Sequence, residues 1–238
     1  MDFSVRSRVD EMMDNPKMEL PTLKKAYKDI NRCNTLLGGE SITIAGVWEI
    51  IKVDQKKSYT ILDMGCGDGT MLRKLCLFLR KKGIPHQMTG IDLRNDVLQI
   101  ASQNSTDFPE ITFRKMDILK ADETFSCDII INTLTMHHFD EDRIDAFLNQ
   151  FVKLANVGIV INDLHRSKLS YFLFKIFSFF FIQTHVAKVD GLISISKGFT
   201  KKDLYRLANN IPNVTHNIRW KWAFRYLWTM QINQSKAV

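Results

Sequence analysis

The stretch Leu62-Asp63-Met64-Gly65-Cys66-Gly67-Asp68-Gly69-Thr70 constrains the fold more than any other part of this chain. It follows a short apolar run, YTILDM at 59–64, and precedes a helix-patterned segment at 70–82. An apolar run of that length, closed by glycines, reads as a buried parallel strand. Glycine allows positive φ and lets a ligand approach the backbone with no Cβ in the way. A strand, a glycine turn and a helix together open a doubly wound sheet, whose ligands sit at the carboxyl ends of the strands.

The rest of the chain repeats the alternation. Strand patterns at 88–93, 111–117, 128–133 and 157–164 alternate with helical patterns at 95–104 and 142–155. Two aromatic-rich strand candidates follow near 214–221 and 224–232. The expected fold is α/β: a doubly wound, Rossmann-like, mostly parallel seven-stranded sheet. Residues 1–52 read as an N-terminal helical cap, with a break bracketed by Pro16 and Pro21 and a stop at Gly38-Gly39. Residues 53–238 form the main domain, and 165–199 interrupt it as a hydrophobic helical insertion after the fifth strand. Within that insertion LSYFLFKIFSFFFI (169–182) is apolar over more of its circumference than an ordinary surface helix. It reads as core, as a lid over an apolar pocket, as a self-association surface or as a peripheral membrane contact.

The glycine spacing discriminates between ligands. A dinucleotide fold wants G-x-G-x-x-G with pyrophosphate on the helix N-terminus. Here the third glycine comes one residue early, and Asp63 and Asp68 place negative charge beside the loop. That suits a cationic ligand without phosphate, such as S-adenosylmethionine. Asp92 closes the second strand, where a carboxylate can accept from a ribose diol. Met116-Asp117-Ile118 follows the third strand, offering an acceptor for an adenine amino group and an apolar side chain for the ring face. Asn132 ends the fourth strand at the same crevice.

Those residues resemble the class I methyltransferases. LDMGCGDGT resembles their first motif, GIDL their acidic strand end, MDIL their adenine-contact segment, and CDIIINTLTMHHF their fourth-strand motif. The resemblance covers roughly residues 45–163. It implies S-adenosylmethionine as cofactor, with Asp63, Gly65, Gly67 and Gly69 around the methionine part, Asp92 on the ribose, and Asp117 and Ile118 on the adenine. Cys66, Leu93 and Asn132 complete the expected cofactor set. INDLHR, the hydrophobic insertion and GFTKKDL are similar to bacterial stand-alone enzymes of quinone-biosynthesis and polyketide-tailoring type. This implies an O- or C-methyl transfer to a small apolar, aromatic or polyketide-like acceptor.

A phenol or enol acceptor benefits from a base titrating near neutrality, and histidine is the natural group. His137 and His138 follow the fourth strand; His165 follows the fifth, two residues beyond Asp163, which could orient it. These four are the catalytic candidates. No metal is expected, because none of the four cysteines or six histidines shows zinc-ligand spacing.

Net charge is +7, spread in pairs and triplets such as Arg80-Lys81-Lys82 rather than in a block. It permits an RNA or protein substrate, the competing reading, without requiring one. The fourth-strand end lacks the Pro-Pro-aromatic that stacks a flipped base, so no specific nucleic-acid partner is expected. A non-catalytic partner subunit is the third reading, against which the intact glycine loop and Asp92 speak. The N-terminus lacks an apolar signal core, and no run is long enough to span a bilayer. A cytoplasmic protein with reduced thiols, monomeric or homodimeric, is the corresponding expectation.

Overall fold

The computed structural model describes residues 2–212 and 214–233. Seven strands form one sheet: β1 (Tyr59–Met64), β2 (His86–Asp92), β3 (Ile111–Lys115), β4 (Cys127–Thr133), β5 (Ala155–Leu164), β6 (Val214–Lys221) and β7 (Arg225–Ile232). Their order is β3-β2-β1-β4-β5-β7-β6. The first five are parallel, and β7 pairs antiparallel with both β5 and β6. The expected mostly parallel seven-stranded sheet is therefore present. Chain order reverses between β1 and β4, and the glycine loop leaves β1 at that switch point, where neighbouring connections diverge to opposite faces and open a crevice.

Helices cover both faces. α2 (Gly39–Asp54), α3 (Thr70–Lys82) and α4 (Asn95–Gln103) bury Val47, Ile50, Leu72, Leu75 and Leu98 against one face. On the other, α5 (Glu141–Leu154) and α8 (Lys201–Asn209) bury Phe147, Phe151, Leu204 and Leu207 around Trp228. This double cover is why β4 is buried along nearly its whole length and reads CDIIINT rather than alternating. At the start of α8 the Thr200 hydroxyl accepts the Asp203 N–H (3.2 Å) and Asp203 accepts the Thr200 N–H (2.7 Å), the reciprocal cap its sequence suggests.

The N-terminal region departs from the expected cap. α2 packs between sheet and solvent with Val47, Ile50 and Ile51 in the same core as Ile61, Ile129 and Val160. A boundary at residue 52 thus runs through a helix of the main domain, because α2 is apolar enough to require the sheet as its partner. α1 (Leu20–Leu36) borders the crevice instead. Pro21 lies in its first turn, where a missing N–H costs nothing, so it starts the helix rather than breaking one. Residues 2–19 are not helical apart from a single 3-10 turn at Met12–Asp14. They form a strap pinned by its own Arg6 and by side chains from elsewhere. Arg6 donates to the carbonyls of His137 (2.9 Å), Phe139 (3.0 Å) and Lys197 (2.8 Å). Arg94 donates to those of Met13 (2.8 Å) and Asn15 (2.9 Å), and Asp190 accepts the N–H groups of Met12 and Met13.

The insertion folds as a helix pair, α6 (Lys168–Phe181) and α7 (His185–Lys197). Two serines of α6 turn inward: Ser170 and Ser178 are buried, while Lys175, Phe172, Phe179 and Phe180 are exposed, Phe179 by 74%. The serines tolerate this because their hydroxyls donate to carbonyls of the preceding turn, Ser170 to Ser167 (2.9 Å) and Ser178 to Lys175 (3.0 Å). Phe174 seats on Gly191 of α7, where a Cβ would come within 2.4 Å of its ring. No helix among the described residues is long and apolar enough to cross a membrane.

Candidate functional site

A cavity of about 810 Å³ opens at the switch point. Its floor is the glycine loop. Gly65, Gly67 and Gly69 all have positive φ (+75°, +52° and +76°), a conformation an L side chain strains to adopt, so the glycines are dictated by the backbone path. The loop is covered by Tyr27 of α1, whose ring would lie 2.9 Å from a Cβ at Gly67. Asn31, one turn further on, donates to Asp68 (2.7 Å). Neither residue is marked by the strand-end pattern, because both reach the loop from a helix that precedes the sheet.

The carboxylates expected around the cofactor converge there. Asp92, at the end of β2, accepts the N–H of Gly67 (3.2 Å) and of Arg94 (3.0 Å), so it braces the loop from the neighbouring strand. Burial raises its pKa in spite of those bonds. Asp63 is buried at the end of β1, and its carboxyl is pushed up to about 8 by burial and then by repulsion from Asp92. Cys66 lines the same wall with its thiol raised by burial, and Leu93 stands largely exposed at the rim. Asp117 caps the short turn Ile118–Lys120 through the Leu119 N–H (3.1 Å), and it lines the cavity together with buried Ile118. Asn132 is placed differently. It is fully buried behind the loop and donates to the Met64 carbonyl (3.1 Å), joining the ends of β4 and β1; Thr133, Leu134 and Thr135 take the cavity wall. Side chains alternate along a strand, so one residue's register decides which of them faces the crevice.

The histidines also separate. His165 lies outside the cavity, accepting the Trp220 indole N–H (3.3 Å) and packing beside Phe224 and Tyr226. Burial, then Arg166, lowers its pKa. Asp163, expected to orient His165, faces His137 instead. It accepts the His137 backbone N–H (3.1 Å) and bonds the ring Nδ1 (2.7 Å). Burial disfavours the His137 imidazolium, but Asp163 and then Glu11 outweigh it and push its pKa up to about 9. The same contact holds Asp163 below the usual carboxylate range although burial opposes it. His137 so placed keeps a proton at neutral pH rather than taking one. His138, half-buried, bonds Asp14 through Nδ1 (3.1 Å). Both rings border the cavity, as do Glu11 and Asp14 of the strap. Sequence reasoning missed these two acids; EMMD at 11–14 carries no signal beyond its charge.

The opposite wall is apolar, formed by Leu173, Phe174 and Phe177 of α6 with Ile182 and Ile195. The cavity thus joins a glycine floor with buried carboxylates to an aromatic roof.

Residues 61–158 match the family model described as a methyltransferase domain. Over that span, somewhat under half of its length, the chain is similar to a methyltransferase domain. Over 111 residues it is 31% identical to a putative methyltransferase, YqeM, of Bacillus subtilis (strain 168). That alignment covers 45% of this chain and 42% of the relative, so the chain matches less than half the length of that curated protein. Among solved structures, the plantazolicin methyltransferase BamL, in complex with a triazolic desmethylPZN analog and SAH, matches with a TM-score of 0.67. The match spans 93% of this chain and 97% of that one at 14% identity. Magnesium protoporphyrin IX methyltransferase ChlM from Synechocystis PCC 6803, with bound SAH, gives 0.58 over 86% of each chain at 14% identity. The CMeT domain of citrinin polyketide synthase gives 0.56 over 74% of this chain and 46% of that one, also at 14% identity. At these identities the likeness is one of fold.

Proposed function

We propose that this methyltransferase domain moves the methyl group of S-adenosylmethionine to an oxygen or carbon of a small, largely apolar acceptor of aromatic or polyketide-like character. The observation that carries the reading is the single cavity with two unlike ends. At the glycine end two carboxylates, buried Asp63 and half-buried Asp92, have their pKa values raised by desolvation, Asp63 to about 8 with no cation bonded to it among the described residues. A sulfonium and ammonium ligand without phosphate supplies what that pair lacks, whereas a pyrophosphate would be repelled. The residues present therefore fit the group. Asp63 and the glycine N–H groups would hold its methionine part, Asp92 its ribose hydroxyls, and Asp117 with Ile118 its adenine.

When bound, S-adenosylmethionine supplies an already activated methyl group. The chain's part is alignment and exclusion of water. The strap, α1 and the α6–α7 pair border the cavity, and Phe174 and Phe177 offer faces against which a planar acceptor can stack. The polar corner of Glu11, His137 and His138 is where an acceptor hydroxyl or enol would be received; His165 takes no part. A predominantly apolar roof supports a small acceptor over an RNA or protein one, which would require a charged cleft.

Calorimetric titration with S-adenosylhomocysteine tests the cofactor half. Saturable micromolar binding, weakened about 10–100-fold in Asp92→Asn by loss of charge-assisted bonds, is expected. Transfer of labelled methyl from S-adenosylmethionine to a panel of alkylated phenols and enols tests the acceptor half. Binding without transfer to any phenol or enol, together with transfer to RNA, would replace the acceptor assignment.

A further inference from the structure

Glu11, His137 and His138 come from two segments far apart in the chain, and their donor atoms all lie within 4.8 Å of one another. Each imidazole has its Nδ1 committed to a carboxylate, His137 to Asp163 (2.7 Å) and His138 to Asp14 (3.1 Å). Both Nε2 atoms therefore face the same group, and on His137 a cation would displace to solvent the proton that Asp163 and Glu11 favour. The two Nε2 atoms stand 3.5 and 3.8 Å from the two carboxylate oxygens of Glu11. Those gaps exceed the ~2.7–3.2 Å of an N–H···O bond. Nitrogen and oxygen donors about 2.0–2.2 Å from a zinc-like cation stand roughly 3.0–3.5 Å apart, so the His137 gap matches neighbouring ligands of one ion and the His138 gap closes to that spacing with a small movement of the half-buried ring. His137 Nε2 is buried without a hydrogen-bond partner, although 98% of its side chain is out of solvent.

We propose that Glu11, His137 and His138 bind a first-row divalent cation at the wall of the cavity. A carboxylate behind each ligating imidazole is the arrangement that fixes the ring and leaves Nε2 for metal. Here both rings have it. Glu11 is oriented in turn by the Ser194 hydroxyl, which donates to it at 2.9 Å. Two imidazoles and one carboxylate on one side of an ion leave coordination positions open. His138 is the least buried of the three, so those positions face the cavity. If the acceptor reading above holds, they would take its hydroxyl or enol oxygen; metal uptake itself does not depend on that reading. Lys197 Nζ, 3.9 Å from Glu11, is the nearby protein cation the ion must tolerate. A second His-containing group, Cys76, His86 and Glu110, carries no such site, since Arg80 already holds Glu110 through two bonds (2.7 and 2.6 Å). The expectation of no metal followed from Cys/His spacing, which cannot register a ligand supplied by the strap.

The test uses the full chain stripped with chelator and titrated with Co²⁺, reading visible absorption and calorimetric stoichiometry. S-adenosylhomocysteine affinity is measured on each sample, so that a failed cofactor site is told apart from a failed metal site. The proposal expects one equivalent of Co²⁺ with a ligand-field band, competed by Zn²⁺. Glu11→Gln and His138→Gln abolish uptake while still binding S-adenosylhomocysteine, and Glu110→Gln leaves uptake unchanged. Asp14→Asn, which keeps all three ligands, weakens it roughly 10–100-fold. Should Glu11→Gln fail to fold, the half-buried His138→Gln decides. No saturable uptake by the wild type, or uptake indifferent to His138→Gln, overturns the proposal and leaves the corner as an ion pair.

Discussion

Replacing Asp63 by Asn should stabilise the cofactor-free protein and, at the same time, weaken its hold on the cofactor. The Asp63 carboxyl sits 2% exposed at the end of β1, with Asp92 as its charged neighbour, and is pushed up to about 8 in the fold from the ordinary 3.8. Between those values the unfolded chain has released the proton and the folded chain keeps it. Stability is fully present below 3.8 and falls by about 1.4 kcal/mol per pH unit as pH rises toward 8. By pH 7 the loss amounts to about 4 kcal/mol, and it levels off above 8. Asn fills the same volume and carries no charge to desolvate. Urea unfolding of apo wild type and Asp63→Asn at pH 5, 6, 7 and 8 should therefore show the variant more stable, by a margin that widens with pH. Isothermal titration with S-adenosylmethionine over pH 6–8 should show wild-type affinity rising as the carboxylate ionises, with a flatter and weaker profile for the variant. A variant less stable than wild type at pH 8, or parallel pH profiles for the two proteins, would refute the claim that Asp63 is a desolvated carboxylate awaiting a cation.

Three further outcomes follow from the packing. Gly67→Ala places a side chain at φ +52° and its Cβ 2.9 Å from Tyr27, so thermal denaturation should show a loss of about 1–2 kcal/mol, and S-adenosylhomocysteine binding should fall with the displaced α1 cover. Asp29→Ala removes the acceptor for the N–H groups of Gln183 (3.1 Å) and Thr184 (2.7 Å) and for the Thr184 hydroxyl (2.8 Å), stranding the turn between α6 and α7; a loss of about 2–4 kcal/mol in urea and faster amide exchange at 183–188 are expected, and an unchanged midpoint would contradict this. Phe180→Ser, at a position 70% exposed, should shift stability by less than about 0.5 kcal/mol, whereas Trp228→Ala, fully buried, should cost about 3–5 kcal/mol; equal effects would mean α6 does not present the face described.

The sequence by itself determined the sheet, the glycine turn and the strand-end acids. Each rests on a short-range requirement that leaves a local trace: the buried run of β4, the positive φ at Gly65, Gly67 and Gly69, the carboxylates closing β1 and β2. Parallel strands with helical crossovers then bring Asp63, Asp92 and Asp117 to one edge without further instruction. Tertiary structure decided what lay beyond that reach. Asn132 and Thr133 are adjacent in sequence, yet only Thr133 borders the cavity, because strand register sends successive side chains to opposite faces. Asp163 serves His137 rather than the nearer His165, because the turn after β4 folds back across the end of β5. The serines of α6 face inward while Phe172, Phe179 and Phe180 face outward, which a helical wheel cannot decide for a helix apolar on most sides. The strap carries the largest share of what was hidden. Residues 2–19 have no periodicity, and Glu11 and Asp14 acquire partners only when Arg6, Arg94 and Asp190 pin that segment over the crevice. Contacts between segments so far apart in the chain are set by the assembled surface, and a linear pattern of residues leaves no trace of them.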